Sequence, residues 1–432
     1  MKNVFSILLL ALCATMASAQ VKVSFDELRA NWDSYQGEQI RLTTPMVVTG
    51  VFYDSLLLSP ERLYVPEEKA VGLHEGDSTT YYQWVKYNHE QSLCLSAKYY
   101  PYQILHGAVL RNLTAKVSGT RRLVTGQTPH FTHNRPKAVR PNTKAADLVI
   151  CAANIQNYFA DLGGYAGAKD EKKFKMQTEK VARALNFLHA DIYAICEMER
   201  GNKSPQVLVD RMNQLAHKQL YAYVNNDGGD GDGDVISVCY LYRTDRVRPY
   251  GPTLYAYELT EGYERYHNRF KAKGFEDIRT GERFSISLNH PRSKRGDPRR
   301  SDSLRMENIY RIEAVLQQME ETYNDPDILM LGDYNCYTYE RPIQYICAQG
   351  YIDEVMKHNP TGYSYVWKGE MGYLDRVFAN TTMDKQILFV HPVHLNADCF
   401  YSLGYKSRYA KPTVFRYSDH EPLLIGIKYK ND

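Results

Sequence analysis

The stretch Ile328-Leu329-Met330-Leu331-Gly332-Asp333-Tyr334-Asn335 joins an apolar run to a short polar cluster. An apolar run of this length, bounded by turn-forming residues, is typical of a buried β-strand. A second cluster, Ser418-Asp419-His420, stands just before the apolar run Leu423-Leu424-Ile425. Both clusters are therefore expected at strand ends, where a rigid sheet can hold carboxylate, amide and imidazole groups in a fixed array. Carboxylate and amide oxygens suit Mg²⁺, and histidine exchanges protons near neutral pH, so the pattern favours phosphate-ester hydrolysis.

The N-terminus has the pattern of a secretory signal peptide. Lys2 precedes an apolar run, Val4 to Leu12, and the small residues Ala17-Ser18-Ala19 predict cleavage after Ala19. We therefore expect a secreted or periplasmic protein. A lipid anchor at Cys13 is the alternative, but Leu12 is a poor residue to precede such a site. No later stretch is apolar enough to span a bilayer, so no stable membrane anchor is expected.

Length and composition say more about the domain organisation of the chain than about its function. A chain of 432 residues exceeds what one hydrophobic core usually supports, which predicts two domains. The formal charge of +3 names no partner by itself. Basic residues cluster in Arg292-Ser293-Lys294-Arg295, and such a cluster is ordinarily solvated surface unless it lies beside a phosphodiester. No cysteine spacing suggests structural zinc, and pairing of Cys336 with Cys347 stays open.

Residues 20–140 predict a β-rich N-terminal domain. Short runs of β-forming residues, such as Met46 to Tyr53 and Val109 to Val117, alternate with glycine and proline. This spacing indicates a small barrel or sandwich, with an OB-like barrel as one candidate. The proline-containing stretch from Thr128 to Thr143 reads as the linker to a second domain over residues 145–431.

The second domain alternates predicted strands with predicted helices. The helices are expected at Lys172 to His189, from Ser204-Pro205 onwards, and after an N-cap at Ser301 or Ser303. The predicted strands are 148–153, 192–196, 235–242, 284–288, 328–331, 374–379 and 423–428. There are more strands than a simple parallel sheet needs, so we predict an α/β fold of two sheets covered by helices.

Polar residues close or follow most of these strands. Each has a plain structural explanation, such as capping a turn, pairing on the surface or satisfying a hydrogen bond in the interior. Their joint occurrence in short, recognisable contexts is more informative than any one of them. The set comprises Asn154, Glu197, Asn289, His290, Asp333, Asn335, Asp375, Asp419 and His420.

Taken in order, these contexts resemble the successive motifs of the endonuclease/exonuclease/phosphatase superfamily, which includes deoxyribonuclease I-like enzymes, sphingomyelinases and inositol polyphosphate phosphatases. The similarity spans about residues 145–430, and a secreted chain with a β-rich leader is most similar to bacterial extracellular nucleases. The resemblance implies a four-layer α/β/β/α sandwich with the active site where the two sheets open. The motifs are 153–157 (ANIQN), 195–199 (ICEME), 289–294 (NHPRSK), 332–335 (GDYN), 373–378 (YLDRVF) and 418–420 (SDH).

The resemblance also implies a metal site. Glu197 would be the principal carboxylate ligand of Mg²⁺ or Mn²⁺, with Asn154 beside it and Asp419 serving the same region. Such an ion keeps several waters and polarises the phosphoryl oxygen of the substrate. Ca²⁺ is a weaker alternative, based on the acidic run at residues 227–234, because this run lacks the closing glutamate of an EF-hand loop.

The same resemblance implies catalytic roles for five residues. Asp333 would orient or deprotonate the attacking water, and Asn335 would hold a phosphate oxygen. His420, steadied by Asp375, would stabilise the crowded phosphorane or pass a proton. His290 would donate to the phosphate or to the departing oxygen. Two histidines with distinct partners can serve as base and acid.

The sequence also departs from the family pattern. Gln156 stands where several branches carry a carboxylate, which leaves the number of metals open, and Arg376 is expected to alter phosphate contacts. Asp234 matches a family carboxylate that could orient His290, although it could equally belong to a flexible acidic loop. Arg292 and Lys294 are expected to contact flanking phosphates, without base specificity.

These observations favour a divalent-metal-dependent nuclease that acts on DNA, or alternatively RNA, with no protein partner implied. A phosphomonoesterase or phospholipase of the same fold is the first alternative. The second is a non-catalytic nucleic-acid or carbohydrate-binding protein on a decayed enzyme fold. The 36 tyrosines of the chain could stack on bases, but packing is their ordinary role, and none is singled out.

Overall fold

The computed structural model describes residues 20–52, 54–70, 78–98, 104–134, 137–164, 166–227, 235–256, 269–399 and 412–429. The predicted signal peptide, residues 1–19, and the predicted histidine partner Asp234 lie outside these ranges. The chain forms two compact units, Met1–Arg62 with Asn88–Asn134 and Leu63–Tyr87 with Arg135–Asp432. This division departs from a single N-terminal domain over residues 20–140, because residues 63–87 group with the second unit.

The N-terminal part of the chain is rich in short strands, as the sequence predicted. The elements in chain order are β1 (Val21–Val23), α1 (Phe25–Ala30), a 3-10 turn (Trp32–Tyr35), β2 (Gln39–Leu42), β3 (Met46–Val51), β4 (Ser55–Ser59), β5 (Leu63–Tyr64), a 3-10 turn (Pro66–Glu68), α2 (Thr79–Gln91), β6 (Leu93–Ser96), β7 (Val109–Leu110), β8 (Leu113–Gly119), β9 (Arg122–Val124) and β10 (Phe131–Thr132). Apart from β5, these strands form one nine-stranded sheet in the order β1-β2-β8-β9-β6-β4-β3-β7-β10. An OB fold has five strands, so this sheet is larger than that candidate.

The second part of the chain alternates strands and helices. Its elements are β11 (Leu148–Tyr158), α3 (Glu171–Leu188), β12 (Ile192–Glu199), α4 (Lys203–Ala216), β13 (Tyr221–Tyr223), β14 (Ile236–Arg243), β15 (Val247–Tyr255), β16 (Phe270–Asp277), β17 (Arg283–Asn289), α5 (Pro298–Tyr323), β18 (Ile328–Asp333), α6 (Arg341–Ala348), β19 (Ile352–Asp353), α7 (Glu354–His358), β20 (Tyr365–Trp367), β21 (Glu370–Gly372), β22 (Asp375–Ala379), α8 (Thr381–Asp384), β23 (Ile387–Pro392) and β24 (Leu423–Ile427).

Two six-stranded sheets form the centre of the second unit. Their strand orders are β13-β14-β12-β11-β24-β23 and β15-β16-β17-β18-β22-β19. Residues from both sheets, including Ile150 and Leu331, share one buried core. The other face of the first sheet packs against Leu185 of α3 and Leu208 of α4. The other face of the second sheet packs against α5, for example Ile312. The predicted four-layer α/β/β/α sandwich is therefore confirmed.

Three local features complete the description. α5 begins earlier than predicted, because Asp297 is its N-cap and accepts a hydrogen bond from the Arg300 backbone N–H. All seven cysteines in the described part of the chain are free, so Cys336 and Cys347 are not paired. Within the described residues, we find no helix with the length and apolarity needed to cross a membrane.

Candidate active site

Strand direction brings several predicted site residues to one edge of the second sheet. β17 and β18 are parallel, so their carboxyl ends meet, with Asn289 opposite Gly332. β22 is antiparallel to β18 and begins at the same edge, with Asp375 opposite Asp333. Gly332 has a φ of 136°, and a Cβ there would lie 1.9 Å from the Asn289 carbonyl oxygen. Glycine is therefore needed for this close approach of the two strands.

Asn154 links the two sheets inside the pocket. Its Nδ2 donates hydrogen bonds of 3.0 Å to Glu197 Oε1 and 3.0 Å to Asp333 Oδ2. Asn154 and Glu197 come from the first sheet and Asp333 from the second. The Asn154 amide is buried and its Oδ1 accepts the Gln156 backbone N–H, which fixes its orientation. One amide therefore holds two carboxylates close together.

A β-bulge directs Glu197 into the pocket. The pairing of β12 with β14 shifts register between Cys196 and Met198, and Glu197 has a φ of 63°. The pairing of β11 with β12 shifts between Asn154 and Tyr158. The backbone N–H of Asn157 in that second shift donates to Glu197 Oε2 at 2.8 Å. Bulges of this kind turn a side chain away from the regular alternation, and they are common beside active sites.

His420 forms a buried pair with Asp375. The Nδ1–H of His420 donates to Asp375 Oδ2 at 2.8 Å, and its Nε2 lies 3.7 Å from Asp333 Oδ2. The ring of Tyr365 covers the imidazole, with ring centroids 4.7 Å apart. The Asp375 carboxylate thus fixes the tautomer and direction of His420, and presents Nε2 to the pocket.

His290 approaches the same carboxylates from β17. Its Nε2 lies 3.7 Å from Asp333 Oδ2 and 3.9 Å from Glu197 Oε1. Its Nδ1 is buried and has no hydrogen-bond partner among the described residues. The predicted partner of this atom, Asp234, lies outside the described part of the chain.

The electrostatics separate the two histidines. Burial lowers the pKa of His290 well below its usual value, and Arg269 and His420 lower it further. Burial also lowers the pKa of His420, but Asp375 and Asp333 more than offset this, so the net pKa lies well above the usual value. These shifts favour the neutral imidazole at His290 and the protonated imidazolium at His420. Two titratable groups driven apart in this way suit acid and base roles.

The carboxyl groups of Glu197 and Asp333, which Asn154 bridges, are both harder to ionise than usual. Burial raises the pKa of Asp333 to about 7, with His420 opposing this rise and Asp375 adding to it. Burial also raises the pKa of Glu197, and the Asp419 charge adds to the rise. Desolvation and like-charge repulsion are the causes, and a bound cation would relieve both.

The donor set fits a divalent cation. Ligand atoms of Glu197, His290 and Asp333 all lie within 4.8 Å of one another. Asp419 is half-buried and close enough for its charge to act on Glu197. Asn154 turns its amide nitrogen, not its oxygen, towards the carboxylates. Carboxylate ligands suit Mg²⁺, Ca²⁺ and Mn²⁺, so the donor set leaves the identity of the metal open.

The predicted phosphate-contacting residues differ in what they contact. Both oxygens of Glu340 lie 2.5 Å from Lys294 Nζ, so the Lys294 charge is neutralised. Arg292 is half-buried, and its backbone N–H donates to Asn308 Oδ1. Asn335 lies at the pocket, where its Nδ2 donates to the Pro291 carbonyl at 3.1 Å.

Arg376 does not face the pocket, contrary to the expectation that it would alter phosphate contacts. Successive residues of a strand point to opposite faces, so Asp375 faces the pocket and Arg376 faces away. The guanidinium is fully buried and pairs with Asp353 at 3.0 Å and Glu68 at 3.4 Å. Glu68 also accepts the Tyr373 backbone N–H at 2.6 Å. Sequence reasoning missed this anchor because Glu68 lies 308 residues from Arg376, with no local signal.

Comparisons with known proteins found similarity to solved structures. No family model and no curated protein matches the chain. Among solved structures, an endonuclease/exonuclease/phosphatase from Bacteroides vulgatus is 15% identical, with 66% of this chain and 99% of that chain covered and a TM-score of 0.47. A mannosyl-6-phosphatase from Bacteroides thetaiotaomicron is 14% identical, with 65% and 100% covered and a TM-score of 0.45. D. rerio TDP2 in complex with a single-strand DNA product is 15% identical, with 65% and 99% covered and a TM-score of 0.41.

Fold and pocket together define a two-sheet α/β sandwich with a carboxylate and histidine centre. Two stacked six-stranded sheets covered by helices are the architecture that the sequence motifs predicted. Motif residues from both sheets converge in the pocket.

Proposed function

We propose that this chain is a divalent-metal-dependent phosphoester hydrolase, and that its substrate is a phosphodiester of DNA or RNA. One observation carries the proposal. Asp333 lies between two histidines of opposite electrostatic character, 3.7 Å from the Nε2 atom of each. A buried carboxylate placed between a neutral imidazole and a cationic imidazole suits attack of water on a phosphorus centre.

The roles follow from the charge states. Asp333, whose pKa burial raises to about 7, would take the proton of the attacking water. His420, kept cationic by Asp375, would stabilise the negative charge of the pentavalent phosphorus. His290, kept neutral, would donate a hydrogen bond to the phosphoryl or leaving oxygen.

The supporting groups hold this arrangement before substrate binds. Asn154 fixes the spacing of the two carboxylates, and Asn335 remains at the pocket edge, where a phosphate oxygen could reach it. Glu197 would hold the cation beside Asp333, with Asp419 nearby, which leaves His290 Nε2 for the phosphate. When bound, Mg²⁺ or Mn²⁺ supplies positive charge that polarises the phosphoryl oxygen and neutralises the leaving group.

The finer parts of the proposal rest on the sequence. The N-terminal leader supports export to the periplasm or the medium. The motif set and the basic run that follows His290 support a nucleic-acid substrate. One observation favours a second candidate, a phosphomonoesterase of the same fold. Lys294 was expected to bind a phosphate that flanks the scissile bond, but Glu340 already neutralises its charge. A phosphomonoester has no flanking phosphate and does not need this cation.

Assays on circular DNA, linear DNA, RNA and soluble phosphomonoesters distinguish these functions. Purified full chain with Mg²⁺ or Mn²⁺ should cut circular DNA, linear DNA or RNA, and EDTA should abolish cutting. Asp333→Ala and His420→Ala should each lower the rate about 10³-fold, which corresponds to roughly 4 kcal/mol of barrier. Asp327→Asn, at the opposite end of β18, is the matched control and should retain activity.

The other outcomes point elsewhere. Release of inorganic phosphate from soluble phosphomonoesters, with every polymer intact, would replace the nuclease by a phosphomonoesterase. Binding of nucleic acid that chelator does not affect, without turnover of any substrate, would indicate a non-catalytic protein.

A further inference from the structure

A short hairpin adjoins the pocket through the residue that covers His420. β20 and β21 pair antiparallel, with Tyr365 opposite Gly372 and Trp367 opposite Glu370. Lys368 and Gly369 form the two-residue turn, with φ values of 51° and 94°. Positive φ at both positions is typical of a type I′ turn, which matches the twist of the two strands. The hairpin is therefore a well-defined element.

The two faces of the hairpin differ in their surroundings. Val366 packs in an apolar cluster with Tyr363 and Met371. Tyr365 points the other way, against the imidazole of His420. Side chains two residues apart share a face, so Trp367 lies on the Tyr365 side, roughly 7 Å further along the strand.

Trp367 is an exposed aromatic residue on the same face of the hairpin as Tyr365. Its side chain is 54% exposed, although the Tyr365 ring on the same face is largely covered. Lys368 Nζ lies 5.6 Å from the centroid of the Trp367 ring. A single exposed apolar residue is common and needs no explanation by itself. Here the flat ring of Trp367 and the Lys368 cation occur together. Trp367 is two residues along the strand from Tyr365, which contacts His420.

We infer that Trp367 and Lys368 form a subsite for the nucleotide next to the scissile phosphate, with its base stacked on the indole. This inference rests on the proposed function. A base offers a flat face for stacking, and the phosphate that follows it offers a negative charge for Lys368. Stacking on tryptophan accepts any base, so the subsite confers preference for nucleotides without sequence specificity.

The chemistry of the hairpin fits a lipid surface less well. Membrane contact needs an extended apolar patch, but Val366 faces the buried cluster. Trp367 is the one large apolar residue of β20 and β21 that is exposed. The adjacent lysine favours an anionic chain over a neutral sugar ring.

The test compares Trp367→Ala with wild type on two oligomers of equal length and charge. One is single-stranded oligothymidylate, and the other carries abasic residues throughout. We expect Trp367→Ala to raise KM for the oligothymidylate by roughly 5- to 150-fold, with kcat changed much less, because stacking contributes mainly to binding. Cleavage of the abasic oligomer should not change. Trp367→Phe should recover part of the loss, and Leu388→Ala, another exposed apolar residue, is the control.

Each other result overturns the inference. Equal kinetics of Trp367→Ala and wild type on oligothymidylate would remove the stacking subsite and leave the proposed function standing. Equal weakening on both oligomers would mean a general structural effect of the substitution. If wild type cleaves neither oligomer nor any other phosphodiester, the proposed function fails and the subsite fails with it.

Discussion

The pairing of Asp375 with His420 gives the sharpest prediction. Asp375→Asn keeps the shape of the side chain and can still accept the His420 Nδ1–H hydrogen bond, which is 2.8 Å long. The substitution removes only the negative charge. Both residues are buried, with 1% and 6% of their surfaces exposed, so solvent screens this charge weakly.

The size of the effect follows from the distance. Two unit charges about 4 Å apart interact by about 4 kcal/mol at an effective dielectric constant of about 20. A neutral hydrogen bond of about 1 kcal/mol remains in the variant, which leaves a loss of about 3 kcal/mol. This loss favours the uncharged ring, so if the reaction needs His420 as a cation, the rate should fall by up to about 150-fold at pH values where the ring gives up its proton.

The assay is the initial rate of phosphodiester cleavage with saturating Mg²⁺, for wild type and Asp375→Asn at several pH values. Thermal unfolding of both proteins establishes that the variant is folded. Asp327→Asn makes the same chemical change outside the pocket, and it should leave the rate unchanged. A loss smaller than about threefold in folded Asp375→Asn would refute the assignment of His420 as a charged group.

Three further substitutions test the energetics of the fold. Burial raises the pKa of Glu354 to about 8 from its ordinary 4.5, with Asp384 adding to the rise, so stability is lost as pH rises through that interval. In urea unfolding, Glu354→Gln should therefore be as stable as wild type at pH 4.5 and more stable at pH 8, by at most about 5 kcal/mol. If the variant and wild type are equally stable at both pH values, the raised pKa of Glu354 is contradicted. Glu68→Ala leaves the buried Arg376 charge with one carboxylate partner, Asp353, and should lower the free energy of unfolding by about 3–5 kcal/mol. A change below about 1 kcal/mol would show that the pair of Glu68 with Arg376 is dispensable. Gly332→Ala should destabilise the chain by more than about 3 kcal/mol, because its Cβ would collide with backbone, and a wild-type melting temperature would show that the strands can separate locally.

The central strands could be predicted because burial on both faces leaves a continuous apolar run. β18 shows this directly: the run 328–331 marks the strand, and the strand continues to Asp333. β15 was missed for the opposite reason. It contains Pro249, Gly251 and Pro252, which are unfavourable in a central strand. β15 is an edge strand of its sheet, where an absent backbone donor is tolerated.

The site residues could be predicted as a set, but their interactions could not. Lys294 reads as a free cation in a basic run, and only the fold shows that Glu340 holds it. Arg376 follows a catalytic carboxylate in sequence, yet strand alternation turns it to the other face. The bulge that directs Glu197 depends on pairing between distant strands. Such facts are set by non-local packing, which a short motif does not encode.

The balance of charge in the pocket explains why these residues need a cation. Three carboxylates, those of Glu197, Asp333 and Asp375, converge on one imidazolium, His420, with His290 neutral. Burial, with the Asp375 and Glu197 charges adding to it, raises the pKa of Asp333 to about 7, so protonation of Asp333 relieves the excess negative charge when no cation is bound. A divalent ion beside Glu197 and Asp333 would supply the missing positive charge and keep Asp333 ionised, ready to accept a proton. The carboxylates that burial makes costly in the free protein are thus the groups that binding of metal and phosphate would use.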